Sequence, residues 1–158
     1  MRLQDQLVRM TQRALDDLIR AVEAMPADKL DWSPASSSRS ALDQLRELAL
    51  ATPMLTDLVK GGKGIDMEAH TKATKGELAE QEASFEESRE KVREGTSELC
   101  SLIATFPDDR LEDDVLLPFG GGIRMTMADC LALHHWNLTY HCGQVNYLQT
   151  MLGDLKMH

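Results

Sequence analysis

The residues with most chemical capacity fall in one stretch near the carboxyl end: His134, His135, Trp136, Asn137, Tyr140, His141, Cys142, Gly143 and Gln144. On a helix turning about 100° per residue, His134, Asn137, His141, Gln144 and Leu148 share one face. Leu138, Val145 and Leu152 adjoin it, so the face is expected to point inward. Polar groups turned inward need partners, which means either a hydrogen-bond network or a ligand. His134 and His141 cannot share one metal ion, because seven residues separate them by about 10.5 Å along the axis and metal–nitrogen bonds span only about 2 Å. His135 projects about 100° away from His134 and does not help. Asn137 and His141, one turn apart, do converge, although an amide oxygen is a weak ligand for a transition metal. By spacing alone, a satisfied polar network is the plainer reading and a metal site the sharper one.

Other chemistry is thinly supported. Cys142 adjoins His141, but helix neighbours point about 100° apart and form no dyad. Cys100, Cys130 and Cys142 make no CxxC pair and cannot all pair within one chain, which suits a reducing cytoplasm. Gly61-Gly62-Lys63-Gly64 lacks the ending and spacing of a phosphate loop and reads as a helix stop. Gly120 to Gly122 read as a turn. The acidic run Glu77, Glu80, Glu82, Glu86, Glu87 and Glu90 reads as a solvated face, and His70 and His158 have no evident partner.

Four helical blocks must position these residues. The first runs from about residue 2 to 24, with Leu3, Leu7, Met10, Ala14, Leu18 and Ala21 at helical spacing and Pro26 beyond its end. A loop carrying Trp32, Pro34 and three serines leads to Ser40, the expected N-cap of the second helix, with Asp43 completing a capping-box variant. The third is expected over about 75–105, where Leu78, Phe85, Val92 and Leu99 repeat every seven residues, with Gln81, Ser88, Gly95 and Leu102 between them. Residues 115–125 suggest a short extended excursion. Thr126 should cap a fourth helix that Gly153 ends. The pattern predicts a single all-α domain, a four-helix bundle with one long connection.

Composition agrees and narrows the function. The chain has 158 residues, enough for one domain, and 42% hydrophobic content supports a core. Aromatics are only 4% while Leu, Ala and nine Met dominate, which favours helices over sheets. Twenty-six acidic against 17 basic residues leave a formal charge of -9, which argues against general nucleic-acid binding. No apolar run approaches the roughly 20 residues of a membrane span, and the amino terminus lacks the apolar core of a signal peptide.

Two segments together resemble a known family. Trp32-Ser33-Pro34 followed by Ser40 to Ala49, and Asn137-Leu138-Thr139-Tyr140-His141-Cys142-Gly143-Gln144 continuing to Leu148, are similar to the DinB-like (YfiT-like) four-helix-bundle superfamily of metal-dependent enzymes. The order of elements agrees over nearly the whole chain. The resemblance implies three metal-holding histidines, one on the second helix and an HxxxH pair on the last. Their positions here carry Glu47, Asn137 and His141, so one imidazole is retained. Such a set would be harder than three imidazoles and would accept Zn, Ni, Mn or Fe with a drift toward the harder ions.

The resemblance also implies thiol-dependent S-transfer with a low-molecular-weight thiol, the metal lowering the thiol's pKa, and Tyr140 or His134 nearby. Two functions are therefore expected in competition. One is a cytoplasmic metal-dependent enzyme with its pocket between helices two and four. The other is a non-catalytic, metal-free bundle that binds a small molecule or serves a structural role. A homodimer through Leu148, Met151 and Leu155 is compatible with both.

Overall fold

The computed structural model describes residues 1–61, 83–117 and 121–158. Among the described residues four helices dominate: α1 (Leu3–Glu23), α2 (Ala41–Val59), α3 (Phe85–Thr105) and α4 (Met127–Met151). Short 3-10 turns follow α1 at Ala27–Lys29 and α3 at Asp108–Arg110. Two strands, β1 (Asp114–Leu117) and β2 (Ile123–Thr126), pair antiparallel with Val115 opposite Met125. They form the expected extended excursion. The all-α four-helix bundle is as the sequence pattern predicts.

Local chemistry explains the helix starts. Ser40, Ser84 and Thr126 each accept a hydrogen bond from the backbone N–H three residues on, while Asp43, Glu87 and Asp129 reach back. Each box satisfies two backbone donors that the first helical turn leaves free. The third helix therefore begins at Phe85, later than the heptad pattern suggests, because Ser84 holds an extended backbone and caps it. Leu78, Gln81, Glu77, Glu80, Glu82, His70, Gly62 to Gly64, Pro118, Phe119 and Gly120 lie outside the described residues. Gly61 at φ +88° and Gly153 at φ +91° follow the ends of α2 and α4 in the left-handed region that glycine favours.

The packing order is not the chain order. α1 lies against α4 and α3, and α2 lies against α3 and α4. Consecutive helices α1 and α2 thus face each other across the bundle, as do α3 and α4. Two apolar clusters fill the interior. Leu18, Leu45, Leu48, Val92, Leu138 and Val145 belong to one, and Leu7, Leu58, Leu99, Ile103, Leu131 and Phe106 to the other. Between them each helix contributes a buried polar residue: Thr11, Thr52, Thr96 and His134. Gly95 belongs to this level, since a Cβ there would come 3.2 Å from Thr52 Cγ2. Its absence lets α2 and α3 approach closely.

Candidate active site between the second and fourth helices

The cap at Ser40 sets the phase of α2, which then turns Gln44 and Glu47 toward α4, one turn apart. From α4, His141 and Gln144 meet them. His141 is 3% exposed, and its Nδ1 lies 3.1 Å from both Gln44 Oε1 and Gln144 Oε1. Both oxygens can only accept, so Nδ1 carries the ring proton and Nε2 keeps a lone pair. Nε2 is fully buried and has no hydrogen-bond partner among the described residues. Glu47 Oε2 lies 3.9 Å away. Burial pushes the His141 pKa down to about 4; the Gln144 hydrogen bond opposes the shift and the charge of Arg39 adds to it. The ring is neutral at neutral pH.

Arg39 completes the cluster. It precedes the cap residue, forms an ion pair with the Glu47 carboxylate, and donates an Nη2 hydrogen bond to the Asp43 carbonyl at 3.0 Å. Partial burial lowers its pKa, opposed by the charge of Asp43, yet a guanidinium remains charged throughout the working range. Arg39 and Glu47 are 39% and 31% exposed at their side chains, so the pair lies nearer the solvent than His141 does. Asn137 stands one turn before His141, partly buried, with no side-chain hydrogen bond among the described residues.

The expected metal set can now be tested against the donors. The proton position suits a ligand, because metal-bound histidines donate their other ring N–H. The charge does not suit one. The set supplies a single carboxylate, Arg39 already neutralises it, and Asn137 adds only a neutral amide. No three His, Cys, Asp or Glu side chains gather into a metal-holding group among the described residues. As arranged, with Arg39 on Glu47, the cluster does not fit a divalent ion.

The remaining chemical residues are separated from this site. His134 is in the polar middle layer, its Nε2 2.8 Å from Thr96 Oγ1, and burial pushes its pKa down to about 4. Tyr140 is half exposed and meets the His141 ring edge-on at 5.4 Å, while its other contact is a stack on Trp136 at 5.3 Å. Cys100 and Cys130 are buried, with thiols pushed up to about 11 by burial, the opposite of an activated nucleophile. Leu148 is 4% exposed and packs in the core, so it cannot contribute to a dimer face as expected, whereas Met151 and Leu155 are exposed.

The sequence pointed to His141, and the family resemblance to Glu47, while neither singled out Arg39 or Gln44, which the structure sets beside them. Gln44 was detectable, since it precedes Glu47 by one turn. Arg39 lies in the irregular loop, outside any periodicity.

Comparison with known proteins gives a consistent frame. The DinB superfamily model matches residues 10–145. Among solved structures, YfiT from Bacillus subtilis, described as a probable metal-dependent hydrolase with an unusual four-helix bundle topology, superposes with a TM-score of 0.75 at 18% identity, over 95% of this chain and 87% of that one. A DinB-like protein, YjoA, from Bacillus subtilis gives 0.66 at 14% identity, over 97% and 96%. A conserved protein from Enterococcus faecalis gives 0.73 at 12%, over 98% and 99%. At these identities the structures show a shared fold. No curated protein matches the chain.

Proposed function

Since the chain belongs to the DinB superfamily, we propose that the α2/α4 cluster is a small-molecule active site whose working group is the neutral imidazole of His141. One observation carries this reading: Nε2 is a buried acceptor, held in one tautomer by Gln44 and Gln144, with no partner among the described residues. A buried acceptor without a donor is costly, and a substrate hydroxyl, water or thiol supplies that donor.

The chemistry follows from the neighbours. A low-molecular-weight thiol on Nε2 passes its S–H proton to the ring, and its thiolate attacks an electrophile on the substrate. Arg39 favours the thiolate, and the ring returns the proton to the leaving group. Water in the same place would make the reaction a hydrolysis, the class ascribed to YfiT. The three unpaired cysteines accord with a reducing cytoplasm.

The reading is tested by following the His141 ring nitrogens by NMR during titration with glutathione and cysteine, and by assaying thiol transfer and ester hydrolysis in wild type and His141→Gln. Thiol-dependent shifts and turnover confined to wild type are expected. Identical behaviour of the two proteins would overturn the reading.

A non-catalytic bundle is the second reading. It is favoured by the bonds from His141 to Gln44 and Gln144, which tie α2 to α4 without any substrate. In that case His141→Gln changes stability alone.

A further inference from the structure

We infer that Arg39 has taken the place of the divalent cation that the family resemblance implies, so that this chain works with a resident guanidinium and excludes the ion. The inference concerns the same cluster and rests on its being the working site. Its test reads metal affinity, and so it fails separately from the thiol and ester assays.

Three observations converge. Glu47, at the position of the family's ligand on α2, has its carboxylate paired to Arg39. That carboxylate is also the group facing the lone pair of His141, at 3.9 Å, so the guanidinium lies beside the place where an ion would bridge the two. Arg39 is also anchored from below by the Asp43 carbonyl, a backbone group of α2, which fixes where the charge sits. A divalent ion drawn to Nε2 and Oε2 would be repelled by the guanidinium, whose charge offsets the attraction of the carboxylate. The exchange changes the chemistry. A guanidinium offers five N–H donors and a delocalised charge but no vacant coordination position, so it recognises planar or anionic oxygen and thiolate groups rather than polarising a bound water. The substrate class follows: a small molecule that presents an anionic group to Arg39 and a proton donor to His141.

The test uses the full chain, purified without a metal-affinity column, and titrates it by calorimetry with zinc and nickel alone at pH 7.5. Wild type and Arg39→Gln are compared, with circular dichroism confirming that both are folded. Removing a unit charge about 6 Å from a divalent ion in a water-like medium should tighten binding about tenfold or more. A tighter ion in Arg39→Gln, with wild type weak, supports the inference. A stoichiometric ion in wild type that is lost in His141→Ala would overturn it. Equal affinity in the two proteins, or none in either, would also overturn it, because the guanidinium would then not be what keeps the ion out.

Discussion

The carboxylate of Glu47 faces two groups at once: the guanidinium of Arg39, with which it pairs, and the buried lone pair of His141 at 3.9 Å. A residue from a loop, one from α2 and one from α4 thereby bring together a cation, an anion and a neutral acceptor. Which of the other two the carboxylate serves decides whether the site can hold an ion.

Rebuilding the family's donor set should reverse that choice. The variant Arg39→Gln, Glu47→His, Asn137→His places imidazoles at 47, 137 and 141 and removes the competing charge. About one zinc or nickel ion per chain should survive dialysis, read by elemental analysis, since three imidazoles suit these ions. A folded variant that retains none would mean that α2 and α4 are wrongly spaced for coordination.

Loss of His141 should also destabilise the bundle. His141→Ala leaves the Gln44 and Gln144 oxygens without their shared donor and opens a void at a position only 3% exposed. A cost of about 2–3 kcal/mol is expected from urea unfolding. A change within about 0.5 kcal/mol would show that the network contributes little.

Stability should fall as pH drops from about 6.5 toward 4. His134 and His141 have folded pKa values near 4, depressed by burial, against about 6.5 unfolded. Between those values the unfolded chain binds more protons, so unfolding becomes easier with acid, by up to about 1.4 kcal/mol per pH unit for each histidine. Above about 6.5 both states are neutral and this contribution is flat. His134→Gln, which can still bond Thr96, should roughly halve the slope in denaturant midpoints measured over that window. An unchanged slope would exclude His134 from the linkage.

Gly95 sets the approach of α3 to α2. Gly95→Val would force branched carbons toward Thr52 Cγ2, already 3.2 Å from an ideal Cβ, while Thr52 is buried and its hydroxyl bonds the Leu48 carbonyl. Overpacking of this kind costs about 1–3 kcal/mol. Thermal unfolding would reveal it, and a melting point equal to or above wild type would show that the helices can part without loss.

Ser40 links fold and site. Ser40→Ala removes the acceptor for Asp43 N–H, at 3.1 Å, and should cost about 1 kcal/mol. Because Arg39 precedes it and bonds the Asp43 carbonyl, the same change should loosen the guanidinium, read as faster relaxation of its NMR signals. A rigid Arg39 in the variant would separate the cap from the site.

Much of this was legible from local pattern. The caps at Ser40 and Thr126, the stop at Gly153 and the wide separation of His134 from His141 follow from spacing on a helix, where about 3.6 residues per turn fix which side chains share a face. The resemblance pointed to positions 47, 137 and 141. Tertiary structure alone decided three things: that α1 and α2 stand across from each other, that His134 finds Thr96, and that Arg39 closes on Glu47. The reason is physical. Periodicity governs residues within a few turns of one helix, whereas a loop arginine takes its position from the direction in which the chain enters the next helix, and partners on different helices are set by how apolar faces pack. The sequence by itself thus determined most of the elements and the inward face that carries His141, and packing determined its tautomer and which cation stands beside it.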